Sequence, residues 1–181
     1  MKVTHLTKED YNTGKWSGGT TTELLIWPEG SSYAERRFQV RISSATVDLD
    51  ESDFTPLPGV IRYITPLTGG FTLTHPGKAP VVMGILDAPY RFDGGEDTHC
   101  DGRATDFNLM LKGAEGSMEI CEEEGGIAPG LNCFYAVKKA VFTLKGVKYE
   151  MNSGDMLVAV SDEVAVISLG KGRAICCHAS V

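Results

Sequence analysis

Nine side chains carry the chemistry this sequence offers: Trp16, Glu23, Arg41, Ser43, Arg62, Thr98, His99, Asp106 and Asn108. Arg41 and Arg62 each present a planar, always-charged fork that can grip a carboxylate with two parallel hydrogen bonds. Glu23, Asp106 and Asn108 supply acceptors for amide or amine hydrogens. That mixture suits a small zwitterionic or carboxylate-bearing metabolite, for instance an amino-acid derivative. The same residues allow two other uses. They can form an internal Arg–carboxylate network that only holds a barrel together. They can also run acid–base chemistry with Asp106, Glu23 or His99 as the proton carrier. Catalytic residues are therefore left unassigned.

The stretch Arg103–Lys112 must position much of this set. Its alternation puts Phe107, Leu109 and Leu111 on one face of a strand and Asp106, Asn108 and Met110 on the other. Asp and Asn are poor strand formers, so two of them mid-strand call for a reason beyond propensity. One reason is a solvated face. The other is the polar floor of a barrel mouth, where a few placed groups fix a ligand. The run 38–47, FQVRISSATV, repeats the logic, with Arg41, Ser43 and Ala45 opposite Phe38, Val40 and Ile42. The run 20–27 places Glu23 on the side of Thr21 and Leu25, and Arg62 shares a face with Ile64.

Composition narrows the partners. The 181 residues suffice for one large all-β domain or two small barrels, and 42% hydrophobic with 23% charged residues is ordinary for a globular protein. A net charge of −7, with no basic run longer than two residues, argues against nucleic acid. The opening MKVTHLTKED lacks a signal-peptide core and no stretch reaches the length of a membrane span, so the expected location is the cytoplasm, without membrane partners. Five cysteines in no framework spacing point to reduced thiols. Glycine pairs such as Gly69-Gly70 and Gly94-Gly95 mark turns; none opens a helix after a strand as a phosphate cradle would. No Gly-x-Ser-x-Gly elbow is present.

Short, evenly punctuated strands run the length of the chain, and no useful 3.6-residue apolar pattern appears. This rhythm predicts a sandwich or barrel. Gly69-Gly70 is expected to make a hairpin between two strands of 60–74. Residues 115–131, with three consecutive glutamates, Gly125-Gly126 and Pro129-Gly130, read as a linker or flap. Residues 1–114 are then an N-terminal barrel holding the pocket, and 132–181 a C-terminal barrel, with strands free to exchange between the two. Phe71-Thr72-Leu73 recurs as Phe142-Thr143-Leu144, which fits two copies of one small jelly roll.

Several blocks together resemble the HutD/Ves family of bicupins. They are WSGGTTTE (16–23), RISSATV (41–47), FTPLPGVIR (54–62), LTGG (67–70), FDGG…THC (92–100) and TDFNLM (105–110). The blocks follow the family's order over the first two-thirds of the chain. Ser17 departs from the Lys-Asn that many relatives carry before the glycines. The resemblance implies two cupin-type β-barrels in one chain and, for some relatives, an association with histidine utilisation. It does not imply a settled reaction.

Cupins often hold a metal through two His on one strand, with a nearby Glu and a third His on a later strand. The four histidines here, His5, His75, His99 and His178, include no pair two residues apart, which argues against that site. Glu23, Asp106 and His99 converging from different strands is the remaining arrangement. Cys176 and His178 share a strand face, but two buried thiols in an edge strand is the simpler reading. The expectation is an all-β bicupin with no metal and no cofactor. It binds a small-molecule metabolite, as a sensor or regulator, with homo-oligomers left open. An enzyme acting on such a metabolite is the first alternative, and an interaction module with a vestigial pocket the second.

Overall fold

A computed structural model describes all residues, Met1–Val181. Seventeen strands follow one another: β1 Lys2–Leu6, β2 Asn12–Trp16, β3 Gly19–Trp27, β4 Val40–Val47, β5 Glu51–Asp53, β6 Val60–Gly69, β7 Phe71–Thr74, β8 Val81–Met83, β9 Tyr90–Asp93, β10 His99–Asp101, β11 Ala104–Lys112, β12 Glu115–Ile127, β13 Gly130–Ala136, β14 Ala140–Leu144, β15 Val147–Met151, β16 Met156–Ser161 and β17 Ala165–Ser180. The one helical piece is a 3-10 turn, Lys8–Asp10, capped by Thr7. The all-β expectation is met, and no helix is long and apolar enough to cross a membrane.

Contacts divide the chain into two units, Asn12–Gly113 and Met1–Tyr11 with Ala114–Val181. The first unit has two sheets. Six strands run β2-β3-β4-β11-β6-β9 and four run β5-β10-β7-β8. Ile64, Phe92 and Ala104 of the larger sheet meet Phe71, Leu73, Met83 and Cys100 of the smaller one in a shared core. β11 lies between β4 and β6, and both its faces are buried: Phe107, Leu109 and Leu111 on one, Asp106, Asn108 and Met110 on the other. Two sequence expectations fail here. Gly69-Gly70 makes no hairpin, because β6 and β7 belong to different sheets. It is a corner where backbones crowd: a Cβ on Gly69 would sit 2.4 Å from the Arg103 carbonyl oxygen, and the residue is at φ 69°. Leu25 does not share a face with Glu23 either, since a bulge between Glu23 and Leu25 resets the pairing.

The second unit is one seven-stranded sheet, β1-β16-β13-β17-β14-β15 with β12 on β17. Side chains from β12 to β17, among them Phe134, Phe142, Met151, Leu157 and Ile167, gather into one core cluster. β1 pairs with β16, so the chain's first strand joins the C-terminal ones. The expected linker or flap is instead mostly β12, paired with β17 along its length. Its glutamates face out while Cys121, Gly125 and Ile127 face in, an alternation hidden by the run of acids. Gly170-Lys171-Gly172 lies within β17. Cys176 and Cys177 therefore sit in an internal strand with neighbours on both sides, and not at an edge; both are buried.

Candidate functional site

Strand phase in β3, β4, β6 and β11 aims one set of side chains into a pocket of about 560 Å³ in the Asn12–Gly113 unit. Seven of the nine sequence-derived residues line it: Trp16, Glu23, Arg41, Ser43, Arg62, Asp106 and Asn108. Direct cross-strand pairing explains the convergence. Ser43 lies between Glu23 and Asn108, and Met110 between Arg41 and Arg62. Thr98 and His99 stand elsewhere. Thr98 is buried and shares a hydrogen bond with His75 Nδ1 at 3.2 Å. His99 lies on the outer face of the four-stranded sheet, its Nδ1 2.7 Å from Asp53 Oδ1. Adjacent strand residues point apart, so at most one of the two could have entered the pocket; the sheet turns the inward positions of β10 to the apolar core instead.

The two arginines differ in their surroundings. Arg41 is engaged. Its Nε donates to Glu23 Oε2 at 2.7 Å and its Nη1 to Ser43 Oγ at 3.1 Å, and the guanidinium stands 4.0 Å from the Tyr33 ring centre. Arg62 lies 4.6 Å from the Phe54 ring centre and 5.2 Å from that of Phe92, and its Nε is buried without a hydrogen-bond partner. Asn108 Oδ1 and Ser52 Oγ, also in pocket residues, are buried and unpartnered as well. Buried polar groups are normally satisfied, and an orphaned one costs about 1–3 kcal/mol. A group that brings complementary donors and acceptors would satisfy all three.

Electrostatics agree. Burial pushes the Asp106 carboxyl up to about 7, against the pull of Arg62, the Ala45 N–H at 3.3 Å and Arg41. Burial also lowers the Arg62 guanidinium to about 10, although Asp106 favours its charge. For both groups desolvation outweighs mutual attraction, so the pocket holds charge against its solvation preference. Perturbed groups of this kind cluster at functional sites.

The sequence reading missed Tyr33 and Phe54, the rings against the two guanidiniums. Each stands outside any strand, in a polar or acidic segment, and a lone aromatic in such a segment was the available signal. Metal ligation fits this pocket poorly. No histidine or cysteine lines it, and two guanidiniums occupy its floor. Glu23 and Asp106 line it without His99, so the three-residue site weighed from the sequence does not assemble. His99 instead has Glu51 and Asp101 near its Nε2, a surface group of potential ligands outside the pocket.

Two sheets over a shared core, with a polar pocket at the mouth, define a cupin-like β protein. The structure is similar to bacterial pirin YhhW of Escherichia coli, solved with nickel(II), at TM-score 0.65 and 11% identity over 98% of both chains. It is more similar to PA5104 of Pseudomonas aeruginosa, a conserved protein of unknown function, at TM-score 0.87 and 20% identity over 100% of both chains. HutD from Pseudomonas fluorescens SBW25 gives TM-score 0.83 and 22% identity over 99% of this chain and 98% of that one. The HutD family model matches residues 8–177, and the chain belongs to that family. No curated protein matches it in sequence.

Proposed function

We propose that this protein is a bicupin whose pocket binds a small carboxylate-bearing or amino-acid-derived metabolite without a metal, as a sensor or regulator. One observation carries the reading: Arg62, buried against two aromatic rings, keeps its Nε unpartnered in a pocket whose other orphaned groups include the Asn108 acceptor. A carboxylate satisfies the guanidinium, and an amide or amine hydrogen satisfies Asn108 and Asp106. Arg41, held by Glu23 and Ser43, serves to shape the wall. Five unpaired thiols support a reducing compartment, the cytoplasm. Kinship with a protein named HutD supports a link to histidine utilisation. The division into two strand-rich units supports the bicupin reading.

The test is isothermal titration with a panel of small carboxylates and histidine-derived metabolites, on the parent and on Arg62→Met. The expected result is saturable binding by a panel member that Arg62→Met loses while staying folded. No binding across the panel, or binding unchanged in Arg62→Met, overturns the reading. The second reading, an acid–base enzyme, is favoured by Asp106, whose carboxyl titrates near neutrality. Mass detection of a turned-over panel member, abolished in Asp106→Asn, would establish it.

A further inference from the structure

β15 ends the seven-stranded sheet, paired only with β14. The two strands are joined by Lys145-Gly146, both with positive φ, 49° and 80°. That is the two-residue hairpin whose twist matches the sheet, and it makes the flanking Leu144 and Val147 a hydrogen-bonded pair. Alternation then turns the N–H and C=O groups of Val147, Tyr149 and Met151 toward β14. Those of Lys148 and Glu150 face outward, where no strand meets them. The edge contains no proline and no bulge, and what guards it is its five-residue length and the charges of Lys148 and Glu150. Lys148 and Glu150 are exposed, and Val147 at its end is 54% exposed.

An outward-facing edge can pair with another copy of itself only in registers that set outward residues opposite each other. Three such registers lie near the strand's centre. One sets Lys148 against Lys148, one Glu150 against Glu150, and one Lys148 against Glu150 in both directions. Only the last places unlike charges together, twice, around a two-fold axis at Tyr149. It also sets the exposed Val147 of each copy opposite Met151 of the other, on the core side of the sheet. The edge strand β9 has alternating charges too, Arg91 and Asp93, but Asp93 Oδ1 is turned back onto the Gly95 N–H at 2.8 Å. The edge strand β1 carries Lys2 and His5 and no acid.

We propose that β15 pairs antiparallel with the β15 of a second copy of this chain, Lys148 of each opposite Glu150 of the other. A junction of two five-residue strands belongs to the weak class, below about 1,200 Å². Sedimentation velocity should therefore be run on the full chain from about 10 μM to about 1 mM, the range in which weak association shows. The expected result is a monomer passing to a dimer, with association weakened at higher salt. Lys148→Glu sets four carboxylates along the junction and should weaken association about tenfold or more, while the far-UV circular dichroism stays unchanged. Adding Glu150→Lys to that variant exchanges the two charges and should restore it. A monomer across the whole range, a dimer indifferent to Lys148→Glu, or a double variant that fails to recover would each overturn the proposal.

Discussion

Replacing Asp106 with Asn tests whether the pocket holds charge at the expense of stability. Asn keeps the shape and an acceptor for the Ala45 N–H but cannot ionise. In the folded protein the Asp106 carboxyl is raised from 3.8 to about 7, chiefly by burial. The folded state thus binds its proton more tightly than the unfolded chain between those two values. Its stabilising share is complete below about pH 4 and is lost as pH rises through about 7. A shift of roughly three units at 1.36 kcal/mol each gives roughly 4 kcal/mol, good to about 1.4 kcal/mol either way. The parent protein should lose that amount between pH 4 and pH 8 relative to Asp106→Asn. At pH 8 the variant should then melt about 8–16 °C higher, given 2–4 °C per kcal/mol for a chain of this size. Urea unfolding of both proteins at pH 5, 6, 7 and 8 measures the difference directly. Parallel stability curves, or a variant less stable at pH 8, would refute the reasoning. Asp106 would then be a fully ionised partner of Arg62, and the pocket floor a structural ion pair.

Three further outcomes follow from the same geometry. Arg41→Met should destabilise by about 1–3 kcal/mol in a thermal melt, because Glu23 loses its partner but keeps some access to water; Arg62→Met, which removes a buried and unpartnered Nε, should leave stability unchanged or raise it. The His99 imidazole should titrate above its ordinary range in an NMR pH series, held up by the Asp53 hydrogen bond and then by Asp101, and Asp53→Asn should lower it; any stability it contributes is present below the unfolded value and lost as pH rises through the folded one. The five thiols are buried, and burial raises Cys100 and Cys133 to about 12, so an aromatic disulfide reagent should label them slowly in the native protein and fully in urea.

Much of the pocket was legible because it rests on strand phase. Period two in 38–47 and 103–112 puts Arg41 with Ser43 and Asp106 with Asn108, and neighbouring strands only had to align them. What the sequence withheld depends on long-range pairing. Nothing local says that β10 turns Cys100 inward and His99 outward, or that β12 finds β17, whose start at Ala165 lies well down the chain from Ile127. Gly69-Gly70 signals a reversal, but residue types do not say whether the next strand pairs or crosses to another sheet, nor that the Arg103–Ala104 backbone crowds the corner. The roles of the arginines were equally hidden: one is occupied by its own chain and the other is left open, a distinction of distances that residue types cannot express.

The bulge at Leu24 makes β3 a ladder with two reading frames. Before it the odd residues Thr21 and Glu23 line the pocket; after it the even residue Ile26 stands opposite Arg41 and packs against Phe38, Leu57, Val60 and Met110. With Leu24 left out of the ladder, Glu23 enters the pocket and, two pairs later, Ile26 still stands on the face of Arg41. A regular strand that kept Leu24 in the ladder would turn Leu25 and Trp27 to the side of Glu23 and Ile26 to the other, whereas deleting Leu24 would leave Leu25 opposite Ile42 and Ile26 opposite Arg41. Nine residues of β3 thus match eight of β4, and a relative or engineered version that lacks the surplus residue would keep Glu23 and Ile26 on the faces they hold here.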